Sequence, residues 1–178
     1  MPAPPLPPEV EAVLRQFYTC EFTTVNKEKQ PITWPTVPFY RTANGRIIVA
    51  TSIAFPIKAY NARRYPQVSL LFSDTTGCAL PDPPAVLVQG TARHVDELLD
   101  MPDWSIDLLR QTLQRQPAAR AFLKSRLAQK LFTFYFQRMA IEIEPERLWI
   151  WPHRDFAQPP QAVTLPATAA PQEAAHVE

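Results

Sequence analysis

The sequence predicts a mainly β protein, a small antiparallel barrel with a few helices packed outside it. Segments rich in Val, Ile, Thr and aromatic residues, bounded by turn formers, lie at 22–25, 32–40, 47–52, 68–72 and 85–95, and again at 137–144 and 147–151. Asn44 and Gly45 form a hairpin signal, because both tolerate the positive φ of tight turns, so the strands on either side should pair antiparallel. Closure into a barrel removes exposed strand edges, and an open sandwich is the alternative.

Three stretches have the spacing of helices. Residues 9–18 place apolar side chains on one face, at Val10, Val13, Leu14 and Phe17. Residues 57–65 interrupt the β pattern between Pro56 and Pro66, which favours a helix of about two turns. Residues 104–135 repeat apolar residues every three or four positions, and Pro117 divides them into two helices.

Length and composition indicate one ordinary globular domain. The chain has 178 residues, with 18 Lys and Arg against 17 Asp and Glu, so its net charge of +1 provides no global field for nucleic acid or an anionic membrane. We expect a Pro-rich disordered N-terminus at 1–8, a single domain at 9–156 with a helical insertion at about 103–136, and a disordered Ala/Pro-rich tail at 157–178.

The sequence predicts a cytoplasmic protein without a metal site. It contains neither an apolar run long enough for a bilayer nor the pattern of a signal peptide. Cys20 and Cys78 are expected as unpaired thiols, with one disulfide as the alternative. The three histidines are scattered, so they provide no ligand cluster at metal-site spacing.

Several strings, in order, resemble the pyridoxamine 5'-phosphate oxidase-like FMN-binding split barrel family. They are IIVATS (47–52), KAYNARRYP (58–66), VSLLF (68–72), VLVQGTA (86–92) and IEIEPERLWIWP (141–152). The resemblance spans about residues 20–151. It implies a homodimer of six-stranded antiparallel split barrels, with flavin mononucleotide (FMN), or in some branches a deazaflavin, held between the subunits.

The resemblance also suggests a role for the basic segment at 58–66. Lys58 would face the cofactor phosphate, and the hydroxyls of Thr51 and Ser52 would donate hydrogen bonds to its oxygens. Asn61, one helical turn after Lys58, could donate another. A phosphate needs several convergent donors, and this is their densest group in the β region. The alternatives are a solvated Lys58 and an Asn61 that satisfies backbone groups near its helix end.

The chain departs from the better-known oxidases at two places. They carry an arginine directly before the helix lysine, where this chain has Ile57, and Arg41 is the only candidate substitute for the basic residues of their preceding strand. We therefore do not expect pyridoxamine phosphate oxidation itself. Trp34 and Trp151 could line an aromatic pocket beside a planar cofactor ring, and core or interface packing is the alternative for both.

The sequence therefore predicts an FMN-dependent oxidoreductase that acts on a small organic substrate by hydride transfer. A deazaflavin-dependent reductase of the same fold and a non-catalytic flavin- or haem-binding protein are the alternatives. No catalytic residue can be nominated, because the cofactor would perform the chemistry. We expect a homodimer, since Trp149, Trp151 and Phe156 would leave a lone barrel with exposed aromatic surface. The basic residues of 104–136 form either a solvated helix face or an anion-binding patch.

Overall fold

The computed structural model describes residues 6–53, 55–95 and 138–165. Two helices, eight strands and one short 3-10 turn make up this part of the chain. In order they are α1 (Pro8–Gln16), β1 (Cys20–Val25), β2 (Pro31–Thr36), β3 (Pro38–Arg41), β4 (Arg46–Ser52), α2 (Ile57–Arg64), β5 (Gln67–Phe72), β6 (Ala85–Val95), β7 (Arg138–Trp151), the turn Pro152–Arg154, and β8 (Gln161–Val163). The predicted helical insertion at about 103–136 lies outside the described residues.

All eight strands belong to one antiparallel sheet that curls into a half-barrel. The strand order is β2-β1-β5-β6-β7-β4-β3, and β8 also pairs with β7. The strands β2 and β3 are separated by Val37 alone, yet they lie at opposite ends of this order. The sheet must therefore curl until its two edges approach each other, which confirms the predicted mainly β, barrel-like class.

The two ends of the half-barrel differ in what covers them. We call the end where β4 finishes at Ser52 and β5 begins at Gln67 the lower end, and α2 connects these strands there. The upper end is where β5 finishes at Phe72, β6 begins at Ala85 and β7 finishes at Trp151.

The core lies on the concave face of the sheet and is closed by α1. The helix buries Val10, Val13 and Leu14, which lie on one face as their spacing predicts. The Phe17 ring, just after the helix, meets the ring of Phe72 edge-on, with centroids 6.4 Å apart. Burial of these side chains supplies the main apolar stabilisation of the fold.

The strand boundaries differ from the predicted ones at two places. The predicted strand at 32–40 is divided into β2 and β3, because the chain crosses there from one edge of the curled sheet to the other. The predicted strands at 137–144 and 147–151 form one strand, β7. Pro145, which lies between the two predicted strands, is opposite Gly90 at a β-bulge, where a residue without an N–H is tolerated. The count of eight strands corrects the expected six.

The C-terminal boundary also differs from the prediction. The sequence placed the end of the domain at residue 156, but β8 follows at Gln161–Val163 and pairs with the upper part of β7. Val163 and Leu165 pack against the core. Short apolar segments between prolines carry too weak a periodicity to be recognised as a strand, which explains the difference.

Candidate functional site

Helix α2 covers the lower end, and its sequence explains how it is placed. It begins after Pro56, and the Tyr65 N–H donates to the Asn61 carbonyl at 2.8 Å where the helix ends before Pro66. Ala59 and Ala62 are buried, because their small side chains let the helix approach the sheet. The opposite face therefore points outward and carries Ile57 and Tyr60.

Lys58 and Trp34, both predicted as cofactor-binding residues, meet in the structure. Trp34 lies on β2 opposite Phe22, so its side chain is on the concave face of the sheet. The Lys58 ammonium nitrogen lies 5.6 Å from the centroid of the Trp34 ring, which is within the range of a cation–π interaction. A cation and an aromatic face are therefore held together at the edge of the half-barrel.

Asn61 anchors the helix rather than facing outward. It is buried, and its amide nitrogen donates to the Thr24 hydroxyl at 3.1 Å. Thr24 lies on the concave face of β1 and is itself fully buried. This bond ties α2 to the sheet. The predicted phosphate contact of Asn61 would require it to give up a buried hydrogen bond.

Thr51 and Ser52 form the end of β4 and shape the turn into α2. Both are 3% exposed. The Thr51 hydroxyl donates to the Phe55 carbonyl at 2.9 Å, and the Phe55 N–H donates to the Ser52 carbonyl at 2.9 Å. Since successive strand residues face opposite sides of a sheet, the two hydroxyls cannot reach one ligand on the same face.

Trp151 lies at the upper end of β7, far along the strand from Thr51 and Ser52. Thr51 is in register with Met139, and Trp151 lies 12 residues farther along β7. At about 3.3 Å per residue, that separation corresponds to roughly 40 Å along the strand. The Trp151 ring packs on Phe156 instead, with centroids 5.4 Å apart.

The charge around α2 is positive. Between Glu28 and Asp74 the sequence contains no Asp or Glu, whereas it contains six cations: Lys29, Arg41, Arg46, Lys58, Arg63 and Arg64. Arg41 and Arg46 share the carboxylate of Glu142, each at 3.0 Å, on the convex face of the sheet. The remaining concentration of positive charge lies on α2, at Lys58, Arg63 and Arg64.

Comparisons with known proteins agree on the fold. No protein-family model matches the sequence, and no curated protein matches it. Among solved structures, an F420 reductase is similar, with 15% identity, 78% of this chain and 94% of that chain covered, and a TM-score of 0.53. The heme storage protein HutZ from Vibrio cholerae has 15% identity, 92% and 99% coverage, and a TM-score of 0.52. This fold is the split barrel.

The family that the sequence resembles is also present among these structures. A putative pyridoxamine 5'-phosphate oxidase from Listeria innocua has 19% identity, 81% of this chain and 96% of that chain covered, and a TM-score of 0.48. The similarity to the F420 reductase and to HutZ confirms the split-barrel fold that the sequence resemblance implies. Solved structures of this fold include ones named for F420 and for heme, so the fold alone does not select the cofactor.

Sequence reasoning missed an apolar surface of the split barrel beside Lys58. Phe55, Ile57 and Tyr60 are 66%, 60% and 52% exposed, and with Phe156 they are the exposed large hydrophobic residues of the described ranges. Ile57 was noticed only as a departure from the oxidases. The available signal was the helical spacing, since Ile57 and Tyr60 lie one turn apart, opposite the two alanines.

Two absences apply to the described part of the split barrel. No helix within 6–53, 55–95 or 138–165 is long and apolar enough to cross a bilayer. The same residues contain no group of three or more His, Cys, Asp or Glu side chains that could hold a metal ion. Both cysteines are free thiols, as predicted, with Cys20 buried and Cys78 partly exposed.

Proposed function

We propose that this split barrel binds FMN at its lower end and acts as an FMN-dependent oxidoreductase on a small organic substrate. The observation that carries the proposal is the contact between Lys58 on α2 and the Trp34 ring on β2. The segment of sequence that contains both residues has no Asp or Glu. A phosphate group favours such a place, because cations are concentrated there in a stretch of sequence, residues 29–73, that contains no Asp or Glu. The exposed apolar side chains beside it suit a planar ring.

In this proposal the residues near α2 have different roles in binding the cofactor. Lys58 supplies positive charge to the phosphate, whereas the buried Ser52 hydroxyl lies on the convex side of β4, the opposite face from the Trp34 ring. Thr51 and Asn61 hold the β4–α2 turn and the helix in place through the bonds to Phe55 and Thr24. Bound FMN would supply the hydride chemistry, while the protein orients it and excludes water.

A second copy of the chain completes the proposed site. Trp151 lies 12 residues along β7 from Met139, the register partner of Thr51, so we propose that the Trp151 beside a ligand at this end belongs to a second chain. The exposed side chains of Phe55, Ile57 and Phe156 would lose water on such an association. We therefore propose a homodimer, in the cytoplasm, with the cofactor between the subunits.

The deazaflavin alternative keeps the same site. The solved structures of this fold include an F420 reductase, and Arg63 and Arg64 add charge for a ligand with more than one anionic group. A non-catalytic carrier of a flavin or haem is the third proposal, and the similarity to HutZ motivates it.

Cofactor extraction distinguishes the three proposals. The leading proposal expects yellow protein that releases FMN on denaturation. Colourless protein that takes up only a deazaflavin would support the second, and bound cofactor that no reductant turns over would support the third.

The phosphate contact is tested by titrating apoprotein with FMN and with riboflavin, which has the ring but lacks the phosphate. Lys58→Ala should lose roughly 1.5–3 kcal/mol of FMN binding, or about one to two decades in affinity, and Lys58→Glu should lose more. Riboflavin affinity should change much less. The tryptophan fluorescence of the protein provides the signal, because the Trp34 ring lies beside Lys58 at the proposed site.

Lys27→Ala is the matched control, since Lys27 is an exposed lysine that contacts Glu28 on the β1–β2 turn. Its FMN affinity should equal that of the wild type. Equal affinity of wild type and Lys58→Glu for FMN would mean that Lys58 does not contact the phosphate and is a solvated surface lysine.

A further inference from the structure

A small apolar cluster lies on the convex side of the sheet, separate from the main core. It consists of Phe39 on β3, Ile48 on β4 and Ala140 on β7. Ile47 and Val49, on either side of Ile48 in β4, belong to the main core. Because successive strand residues face opposite sides of a sheet, Ile48 points to the convex side, and its register partner Phe39 lies beside it there. We call these three residues the convex cluster.

The convex cluster is buried as deeply as the main core. Phe39, Ile48 and Ala140 are 5%, 1% and 1% exposed. Ser52, which follows Ile48 by four residues on the same side of β4, is also buried. One face of an antiparallel sheet is commonly solvated, and these exposures are those within a single chain. Another part of the same chain must therefore lie over this region of the convex side.

The two described helices lie on the other side of the sheet. The buried apolar residues of α1 and α2 all belong to the main core: Val10, Val13, Leu14, Ala59 and Ala62. The last strand, β8, extends the sheet beside β7 and does not form a layer over it. The layer over the convex cluster is therefore supplied by neither helix of the described ranges.

Residues 96–137 have the composition that such a layer requires. Their apolar residues recur at the spacing of two helices, in Ile106, Leu109, Leu113, Leu123, Leu127 and Leu131. The terminal segments 1–5 and 166–178 consist mainly of Pro and Ala and contain no Leu, Ile or Phe. An amphipathic helix of a globular protein buries its apolar face, so segment 96–137 requires an apolar surface just as the convex cluster requires a cover.

This segment begins and ends beside the convex cluster. It leaves the sheet after Val95 at the end of β6 and re-enters it at Arg138, the first residue of β7. Val95 is the register partner of Ala140. Neighbouring strands are about 4.8 Å apart, so the cluster extends roughly 10 Å from β7 across β4 to β3. A helix of about ten residues is about 15 Å long and can span it.

A charged border lies next to the convex cluster, toward the start of β4. Glu142 is the register partner of Ile48, and its carboxylate accepts hydrogen bonds from Arg41 and Arg46, each at 3.0 Å. The Glu142 side chain is 12% exposed, so both cations balance its charge where water is largely excluded. An apolar centre with a polar border is the arrangement of a packed protein surface rather than of a solvated one.

We propose that residues 104–135 form two helices that pack their apolar faces on the convex cluster, so that this part of the sheet lies between two layers of helices. Ser52 is buried under the same layer, and its hydroxyl is therefore out of reach of a ligand from solvent. A cofactor at the lower end must approach from the side of Lys58 and Trp34. The inference holds whichever cofactor the lower end binds.

Thiol reactivity in the full-length protein tests this packing. Ala140→Cys places a thiol in the convex cluster, and Ile48→Cys, which shortens a buried side chain, places one at a second position. Cys20 is buried in the main core and Cys78 is partly exposed, so they are internal references for a covered and an accessible thiol. Alkylation of each site is followed by peptide-resolved mass spectrometry. The introduced thiols should react at least about tenfold more slowly than Cys78.

Substitutions in the segment test whether its apolar face is the cover. Leu109→Glu and Leu127→Glu should each raise the alkylation rate of the introduced thiol about tenfold and leave the Cys20 rate unchanged, because a carboxylate is not buried without a partner. Gln111→Glu and Gln129→Glu are the matched controls, since two residues along a helix rotate the side chain by about 200°. Each control should change the rate by less than about twofold.

Four kinds of result would overturn the proposal. The first is an introduced thiol that reacts as fast as Cys78 in the otherwise unchanged protein. The second is an equal effect of Glu at the Leu and at the Gln positions. The third is a parallel rise at Cys20, which would mean that the segment belongs to the main core. The fourth is a different cover: a rate that falls as protein concentration rises would assign it to a second copy, and a faster rate in a chain ending at residue 165 would assign it to the C-terminal tail.

Discussion

The two ends of the half-barrel differ in their local balance of acidic and basic residues. At the upper end acidic and basic side chains lie together, as where Arg154 is 3.7 Å from Asp82. At the lower end α2 carries Lys58, Arg63 and Arg64 in a stretch of sequence that contains no acid between residues 28 and 74. A local excess of one sign of charge favours a ligand of the other sign. The contrast teaches that the lower end is the better candidate for binding an anion.

Gly90 in the middle of β6 supports both ends, and its substitution should have the largest effect. A Cβ at this position would lie 2.1 Å from the Glu144 carbonyl oxygen of the bulge, and backbone cannot move away as a flexible side chain can. Gly90→Ala should therefore lower the free energy of unfolding by about 2–3 kcal/mol, measured by urea denaturation.

Gly45→Asn is the matched control for Gly90→Ala. Gly45 has φ of 71° in the β3–β4 hairpin, a conformation that Asn tolerates, so this change should cost less than about 1 kcal/mol. If Gly90→Ala were as stable as Gly45→Asn, the bulge would have to be able to shift, and Gly90 would not join the two ends rigidly.

Asn61→Ala tests whether Asn61 holds α2 on the sheet or binds a phosphate at the lower end. The substitution leaves the buried Thr24 hydroxyl without its partner, so we expect a loss of about 1–3 kcal/mol in the free energy of unfolding. Lys58→Ala should leave the stability of the apoprotein nearly unchanged, because it removes a partly exposed side chain.

A double-mutant cycle tests this interpretation of Asn61. Combining Asn61→Ala with Thr24→Val removes both polar groups, so the double variant should lose less than the sum of the two single variants. Strict additivity of the two losses would mean that the bond contributes nothing, and Asn61 would again be a candidate phosphate ligand.

Local signals in the sequence were sufficient to predict α2, but they could not predict its contacts with distant segments. Pro56 and Pro66 bound the helix, so its limits and its position between two strands could be predicted. That Lys58 lies over Trp34 depends on the strand order, which places β2 beside β1 under the helix. No periodicity encodes such an order, because strand pairing is decided by the packing of the whole sheet.

The same reason explains why the sequence could not place Asn61 and Trp151. The partner that turns Asn61 inward, Thr24, is 37 residues away in sequence. Trp34 and Trp151 were grouped by residue type alone, and the sheet order places their strands, β2 and β7, four positions apart. Residue chemistry therefore predicted the candidates, and topology decides which of them can act together.

Removal of β8 sharpens the comparison at the upper end. A chain ending at residue 158 loses Val163 and Leu165, which pack against the core, so its free energy of unfolding should fall by about 1–2 kcal/mol. A chain ending at residue 165 keeps both residues and should be as stable as the full chain. Equal stability of the two truncations would mean that the β7–β8 pairing contributes little, and thermal melting of both proteins is the measurement.

The smallest effect is expected at Tyr40, and only at alkaline pH. Tyr40 is 8% exposed, and its burial raises the pKa of the phenol above the ordinary value of 10.0, with the Glu11 carboxylate acting in the same direction and Arg15 opposing it. Above pH 10 the unfolded chain loses this proton while the folded chain retains it, so ionisation stabilises the unfolded state. The folded protein should therefore lose stability as pH rises through 10, and no such loss should occur below that range.

Because other groups titrate there as well, the quantity to measure is the difference in unfolding free energy between wild type and Tyr40→Phe from pH 8 to pH 11. That difference should shift in favour of Tyr40→Phe as pH increases, whereas Tyr60→Phe, at an exposed tyrosine of α2, should track the wild type. A constant difference for Tyr40→Phe across this range would mean that the phenol ionises as readily in the folded protein as in the unfolded chain, and that α1 does not seal this side of the core from water.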